Sequence, residues 1–396
     1  MDYQRLRGLV EDSSRRIVSF AGRAVATPSL SGDEGALAAL VAEEMGNLAY
    51  DEVTVDAFGN VFGRIAGGPG RTTMLHAHMD VVAPGDLTRW RQAPYGGEVA
   101  DGYLWGRGAA DAKGALAAQV YAAGLLKEAG LTPPGDLVQA SVVCEETGGL
   151  GTRHLVTGPL PSVAIIGEPS ANALRRGHRG RYEFVVTLHG VPAHASAPSR
   201  GINPHYSMAR FLLALREAGL VYDPVFGGSS VAPTLIYVDG QNANVIPGRL
   251  SVHLDWRASP ADSEEQARAL LAEVLRGSLE EGVDPEVTVR RRAVRTYTGV
   301  EREVRFDLRG YVLAEDDPHL LAAREALTAA LGRPPEVGVW TFCTDGGHLA
   351  AAGVPCIGYG PGEERMAHVT DERLSVAQLL EATVGYMAMA LRLGSV

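Results

Sequence analysis

Apolar and polar positions along the first 178 residues alternate between helical spacing and short buried runs. Apolar residues recur at helical spacing over residues 3–26, 34–45 and 115–128. Short apolar runs bounded by turn residues predict strands over residues 52–56, 61–65, 72–77, 137–144 and 163–166. Ser31 is placed to cap the second helix. Strands that alternate with helices predict an α/β sheet covered on both faces.

The pattern changes near Gly180. We predict strands and helices in the order β-α-β-β-α-β over residues 181–188, 204–218, 234–238, 250–257, 262–279 and 287–292, with Asp262 capping the second helix. This order is ferredoxin-like. A helix over 318–331, a strand over 355–359 and a helix over 375–393 return to the first pattern. We therefore predict a catalytic domain in two parts, residues 1–178 and 294–396, with a smaller domain, residues 179–293, inserted between them.

The composition narrows the class of protein. A chain of 396 residues is long for a single core. Its net charge of −11 argues against a nucleic-acid or anionic-membrane partner. The three cysteines are few and odd in number, which argues against a disulfide framework and fits a reducing compartment. They lack Cys-x-x-Cys spacing, which disfavours a thiolate zinc site. With neither a signal-peptide pattern nor about 18 consecutive apolar residues, we expect a cytoplasmic protein.

Histidine and acidic residues stand where several predicted strands end. His78 and Asp80 close one strand, and Asp111 lies in a glycine-rich turn before an alanine-rich helix. That turn lacks the spacing of a phosphate-binding loop. When each is considered alone, His78 and Asp80 are explained as a polar strand end, and Asp111 is explained as a helix cap. Imidazole and carboxylate groups are also good ligands for zinc or manganese.

Two adjacent acids, Glu145 and Glu146, follow a third apolar strand. Adjacent carboxylates at a buried strand end are costly unless a cation compensates them. Neighbouring residues of a strand point to opposite sides, so the two can have different roles. Glu168 ends the next strand and His368 follows a glycine-rich loop. Because α/β sheets bind ligands at the carboxyl ends of their strands, these groups together predict a site for two cations that share one bridging carboxylate.

In this order, the motifs resemble the acetylornithine deacetylase, succinyl-diaminopimelate desuccinylase, aminoacylase and carboxypeptidase G family of dinuclear zinc metallohydrolases. The resemblance implies a zinc-exopeptidase-like catalytic domain with an inserted ferredoxin-like lid through which two chains form a homodimer. Residues 176–181 and 340–347 are similar to the YgeY-like branch of the family. The complete Asn-Val-Ile-Pro motif at 244–247 departs from that branch and leaves the subfamily open.

The resemblance also implies roles for individual residues. The implied metal ligands are His78, Asp111 as the bridge, Glu146, Glu168 and His368. Glu145 would be the general base, with Asp80 behind the His78 ring and a cis peptide after Asp111. His194 would reach a neighbouring subunit's site and stabilise the oxyanion. Contacts to the substrate would come from Arg257, Asn244, Thr344, Asp345 and Gly346.

The implied reaction is hydrolysis of the amide bond of an N-acyl amino acid by metal-activated water. Two divalent ions would take part; zinc is favoured, and the same donors tolerate cobalt or manganese. A dipeptidase or carboxypeptidase would use the same ligands on a dipeptide or peptide. A non-catalytic dimeric binding protein of this fold is a third interpretation, although binding alone does not need Glu145.

Overall fold

The computed structural model describes residues 2–240 and 242–396. The helices are α1 (Tyr3–Asp12), α2 (Ser14–Ala26), α3 (Gly35–Asn47), α4 (Gly114–Glu128), α5 (Leu150–Leu155), α6 (Pro204–Arg216), α7 (Glu264–Arg276), α8 (Pro318–Leu331), α9 (Gly346–Ala351) and α10 (Val376–Leu393). The strands of the first half are β1 (Glu52–Val55), β2 (Val61–Ile65), β3 (Thr73–His78), β4 (Val99–Ala100), β5 (Tyr103–Trp105), β6 (Leu137–Val142), β7 (Val163–Ile166), β8 (Leu174–His178), β9 (Gly180–His189) and β10 (Ala193–His194). The remaining strands are β11 (Tyr222–Asp223), β12 (Gly227–Gly228), β13 (Ser230–Val238), β14 (Val245–Ile246), β15 (Arg249–Ala258), β16 (Asp284–Val289), β17 (Arg291–Arg295), β18 (Glu301–Arg305), β19 (Asp307–Leu308), β20 (Tyr311–Val312), β21 (Val337–Trp340), β22 (Cys356–Gly358) and β23 (Arg373–Ser375).

The central sheet has the order β1-β2-β6-β3-β7-β22-β8-β20 within the described residues, with β21 paired to β8. Strand β3 runs parallel to β6 and β7, and β22 runs parallel to β7. Leu75 and Ala77 enter the large core that includes α4 and α10, whereas Met74 enters a separate core on the other face. The sheet is therefore covered on both faces, as predicted, and the carboxyl ends of its parallel strands share one edge.

A second sheet has the order β13-β15-β9-β16 and encloses its own core with α6 and α7. Phe184, Phe211 and Trp256 are among its buried side chains. The β-α-β-β-α-β order is confirmed. The boundaries of the lid domain, residues 179–293, stay a prediction. Strand β19 lies beyond residue 293 in the sequence and yet pairs with β9 of the second sheet.

Three local predictions were wrong. The helix predicted over residues 3–26 is two helices, since the chain leaves helical geometry at Ser13. Ser31 does not cap α3, because its hydroxyl donates instead to Oδ2 of Asp80 at 2.6 Å. Asp262 does not cap α7 either: Ser263 does, and Asp262 accepts a hydrogen bond from the buried indole of Trp256 at 2.8 Å.

Membrane crossing requires a long apolar helix. Among the described residues no helix has both the length and the apolar character that a membrane span needs.

Candidate functional site

The predicted ligands gather at the edge where the parallel strands end. His78 is the last residue of β3, and Glu168 comes two residues after β7. Glu146 lies in the turn between β6 and α5. Asp111 lies in a tight buried turn, residues 109–113, just before α4, and its peptide bond to Ala112 is cis. His368 lies in the loop between β22 and β23. The topology thus brings together residues that lie up to 290 positions apart in the chain.

These side chains form two groups that share Asp111. One group is His78, Asp111 and Glu168, and the other is Asp111, Glu146 and His368; within each group the donor atoms lie within 4.8 Å of one another. Oδ1 of Asp111 lies 3.1 Å from Nε2 of His78, and Oδ2 lies 3.2 Å from Nε2 of His368. The two oxygens of one carboxylate therefore face different groups. This is the geometry required of a carboxylate that bridges two cations.

The donor set fits two divalent ions of the zinc, cobalt or manganese class, because it contains only imidazole and carboxylate groups. His78 lies 3.6 Å from Oε1 of Glu168, and His368 lies 2.8 Å from Oε1 of Glu146. Each group thus offers one histidine, one carboxylate of its own and the shared one. Three protein ligands for each ion leave coordination positions for water or substrate.

Asp80 holds both the His78 ring and the Glu145–Glu146 turn. Its backbone carbonyl lies 2.8 Å from Nδ1 of His78, so Nε2 points into the site. Its carboxylate, 3.7 Å from the same ring nitrogen, accepts hydrogen bonds from the amides of Glu145 at 2.9 Å and Glu146 at 3.1 Å. The ring is thus oriented mainly by the carbonyl of Asp80 rather than by the expected carboxylate.

Glu372 connects the Asp111 turn to the His368 loop. Its Oε1 accepts hydrogen bonds from the amides of Ala110 at 2.9 Å and Asp111 at 3.0 Å. Its Oε2 lies 2.5 Å from Nη1 of Arg107, and both side chains of this ion pair are buried. Glu372 stands four residues after His368, so one buried pair fixes the backbone that carries ligands of both groups.

Several carboxylates of the site are buried close to one another, and this environment shifts their pKa values. Burial raises the pKa of Glu145 well above its usual range, and the charge of Asp345 adds to the shift. Burial alone would raise the pKa of Asp111, but hydrogen bonds from His368 and His78 outweigh it and lower that pKa. The same hydrogen bonds, to Asp111 and Glu146, raise the pKa of His368 to about 10. Protonated histidines partly neutralise the negative charge of these carboxylates, and bound cations would have the same effect.

A cavity of about 440 Å³ opens directly onto the two groups, a size typical of small-molecule sites. Four of the five predicted metal ligands line it, together with Glu145, Arg257 and Asp345; His78 is buried and does not line it. Thr344 and Gly346 are buried beside the cavity and do not line it. His194 is exposed on β10, which pairs with β14, and its Nε2 lies 3.4 Å from Nδ2 of Asn244; neither side chain lines the cavity of its own chain.

Some residues at the site were not predicted from the sequence. Thr152 lies 2.8 Å from Nε2 of His76 and donates to Oδ2 of Asp345 at 2.6 Å, which fixes the Asp345 carboxylate beside Glu145. Arg153, Arg181 and Arg305 also line the cavity. Arg181 belongs to the arginine-rich stretch 176–181, which was a usable signal, whereas the other two stand in no motif.

Comparison with known proteins gives the same identification over nearly the whole chain. The model of "Peptidase family M20/M25/M40" matches residues 74–392. The YgeY protein of Escherichia coli (strain K12) is 30% identical over 387 residues, covering 96% of this chain and 95% of YgeY. A succinyl-diaminopimelate desuccinylase of Cereibacter sphaeroides is 30% identical over 381 residues, covering 91% of this chain and 94% of that enzyme.

A solved structure of a Staphylococcus aureus tripeptidase has the same fold, with a TM-score of 0.76 at 19% identity, covering 96% of this chain and 98% of that one. The matched segment includes the ligand groups and the cavity. The chain therefore belongs to peptidase family M20/M25/M40 and is a metal-dependent hydrolase of that family.

Proposed function

We propose that the protein hydrolyses the amide bond of an N-acyl amino acid, with Glu145 as the general base. The observation that carries this proposal is the position of Glu145. It lines the cavity beside both ligand groups but belongs to neither of them. A carboxylate that is free of metal and close to the reacting water is what a proton-transfer step requires. The resemblance to a desuccinylase at 30% identity supports the same chemistry.

His78, Asp111 and Glu168 would hold one ion, and Asp111, Glu146 and His368 the other. When bound, two divalent cations supply a Lewis acid and lower the pKa of water. We propose zinc as the physiological metal, since imidazole and carboxylate ligands suit it.

Glu145 takes a proton from water at its carboxylate and passes it to the nitrogen of the leaving amine. Asp80 fixes the backbone of Glu145 by the 2.9 Å hydrogen bond to its amide, so the carboxylate stays directed into the cavity. Arg257 also lines the cavity, and we propose that its planar guanidinium binds the carboxylate of the amino acid. Asp345, which also lines the cavity, would help to hold the amino-acid end of the substrate.

We further propose that two chains pair through the second sheet. Strand β13 is an edge strand, and its residues from Leu235 to Val238 are between 47% and 57% exposed. An apolar edge strand with open backbone groups is a template for pairing with another chain. Dimerisation would allow His194 and Asn244, which do not line their own cavity, to complete the neighbouring one. A cytoplasmic location stays a prediction from the sequence.

The test is a hydrolysis panel with the zinc-, cobalt- and manganese-loaded protein. It contains N-acetyl, N-succinyl and N-carbamoyl amino acids and dipeptides. We expect turnover of at least one N-acyl amino acid, and a fall in kcat of about 10²- to 10⁴-fold in Glu145→Gln with metal content unchanged. Glu43→Gln, an exposed glutamate on α3, is the matched control and keeps full activity.

Three results would contradict the proposal. If dipeptides were hydrolysed faster than N-acyl amino acids, the protein would be a peptidase of the same family. Undiminished turnover by metal-loaded Glu145→Gln would remove the general-base role. If no member of the panel were hydrolysed by any metal form, the interpretation as a binding protein would replace it.

A further inference from the structure

The cavity wall carries more positive charge than one substrate carboxylate needs. Among the described residues, four arginine side chains line it, and each is between 30% and 37% exposed: Arg153, Arg181, Arg257 and Arg305. Side chains with this exposure are reached by a ligand in the cavity but are partly shielded from bulk water. The four form two separate clusters, each built around one aspartate.

The first cluster is centred on Asp255. Nε of Arg181 lies 2.9 Å from its Oδ2, and Nε of Arg257 lies 2.6 Å from its Oδ1. Glu183 contacts both Arg181, at 2.9 Å, and Arg290, at 2.6 Å. Three guanidinium groups thus face two carboxylates, and within the described residues Nη1 of Arg257 and Nη1 of Arg181 donate no hydrogen bond. The cluster keeps a net positive charge and free donors.

The second cluster is centred on Asp307. Nη2 of Arg153 lies 3.0 Å from its Oδ1, and Nη1 of Arg305 lies 2.9 Å from its Oδ2. Glu264 contacts Arg305 at 2.5 Å and Arg268 at 3.1 Å. Again three guanidinium groups face two carboxylates. Among the described residues, Nη1 of Arg153 donates no hydrogen bond, so this cluster also keeps a free donor beside the cavity.

Strand β9 lies between the strands that contribute to the two clusters, and the side chains of both clusters line the same cavity. Arg181 on β9 is paired with Arg257 on β15, and β19 pairs with the other side of β9, with Asp307 opposite Tyr182 and Leu308 opposite Arg181. Adjacent strands lie about 4.8 Å apart, so the backbones of β15 and β19 are separated by about 10 Å. One cavity therefore has two cationic clusters at a separation that a small molecule can span, and Glu145 lines the same cavity.

We infer that the substrate carries a second carboxylate, which Arg153 and Arg305 bind while Arg257 and Arg181 bind the first. This inference rests on the proposed amide hydrolysis and specifies its substrate class as dianionic amides. Guanidinium groups match carboxylates through paired, charge-assisted hydrogen bonds. The second carboxylate lies either on the acyl group or on the amino-acid side chain, and the two sources have the same chemistry.

Three substrates separate these sources. N-acetyl-L-alanine has one carboxylate, N-succinyl-L-alanine has a second on the acyl group, and N-acetyl-L-glutamate has a second on the side chain. We expect kcat/KM for one of the two dianionic substrates to exceed that for N-acetyl-L-alanine by about 10- to 100-fold, the value of a hydrogen bond to a charged group. The preferred substrate identifies the source.

Substitution of the second cluster tests the assignment. In Arg305→Gln and Arg153→Gln we expect the ratio of kcat/KM for the preferred dianionic substrate to kcat/KM for N-acetyl-L-alanine to fall towards one. Arg153 also donates to the backbone of Gly148 at 2.9 Å, so Arg305→Gln keeps the test valid if the other variant folds poorly. Arg302→Gln is the matched control, because Arg302 is exposed on the same strand and does not line the cavity; it retains the preference. Equal kcat/KM for all three substrates, or a preference that survives in Arg305→Gln, would overturn the inference.

Binding measurements keep this inference distinguishable from the proposed function. Isothermal titration of zinc-loaded Glu145→Gln with the same three compounds reports affinity without turnover. Selective binding of a dianionic compound that Arg305→Gln abolishes supports the second carboxylate site even if no amide is hydrolysed. Turnover with equal affinity for all three compounds supports the proposed function and refutes the second site.

Discussion

The buried ion pair between Arg107 and Glu372 gives a prediction that is independent of substrate. The two side chains are 3% and 0% exposed, and Nη1 of Arg107 lies 2.5 Å from Oε2 of Glu372. Arg107→Met keeps an unbranched apolar stem but leaves the carboxylate buried without its cation. Breaking such a pair on one side costs about 3–5 kcal/mol. That is a large part of the roughly 5–15 kcal/mol that stabilises a typical domain.

The assay is urea unfolding of the chelator-treated protein, so that metal binding does not contribute to the measured free energy. Burial raises the pKa of Glu372 to about 7 although the charge of Arg107 lowers it, so the measurement is made at pH 8, where the wild-type carboxyl is ionised. We expect Arg107→Met and Glu372→Gln each to lose about 3–5 kcal/mol. The double variant should lose less than the sum by about 0.5–3 kcal/mol, because no unpaired charge remains.

The matched control is Arg91→Met, which breaks the neighbouring pair with Asp371. Arg91 is 79% exposed, so its loss should cost less than about 1 kcal/mol. If Arg107→Met lost no more stability than this control, or if the losses of the two single variants were additive in the double variant, the buried pair would not have the proposed role.

Three further predictions concern other parts of the molecule. Burial, reinforced by the charge of Asp80, raises the pKa of Glu34 from 4.5 to about 7. The stabilising contribution of Glu34 is therefore complete below pH 4.5 and is lost as the pH rises through 7. In urea unfolding, the stability of Glu34→Gln should accordingly rise relative to that of wild type by about 3 kcal/mol across this interval. Parallel curves for the two proteins would contradict this. Light scattering should show that Ile236→Lys, on the exposed edge strand, converts the proposed dimer to a monomer, whereas Leu87→Lys, at a similarly exposed position, leaves it a dimer. If both variants remained dimeric, this edge strand would not be the interface. Gly59→Ala should lower the free energy of unfolding by about 2–4 kcal/mol, because φ is +97° and the new Cβ would lie 2.2 Å from the Tyr297 ring. Gly8→Ala is the control and should not destabilise α1, because no atom lies within 4 Å of its new Cβ. Equal losses of stability in the two variants would contradict the steric explanation.

Much of the fold was predictable because its periodic signals are strong. β2, β7 and α8 have the predicted bounds, since apolar runs and turn residues mark both ends. That the predicted ligands lie together was predictable for a similar reason: each stands at or after the end of a strand, or in or after a recognisable glycine-rich segment. His78, Asp111 and His368 are weak signals singly, but sheet topology requires the strand ends to meet.

The remaining errors come from contacts between residues distant in sequence. Ser31 has the sequence context of a helix cap, but the carboxylate of Asp80, 49 positions later, takes its hydroxyl. Nothing near Arg305 in the sequence predicts that it meets Arg153 around a shared aspartate, because only the docking of β19 against β9 brings them together. Local patterns contain no information about such pairs.

The central claim is that Asp111 bridges two ions, each held by one histidine and one further carboxylate. The direct measurement is metal content by mass spectrometry after chelation and reloading with zinc. We expect two ions per chain in wild type and in Glu145→Gln, and one ion in Glu146→Gln and in Glu168→Gln. A wild-type content that never exceeds one ion, or two ions retained in both ligand variants, would contradict it.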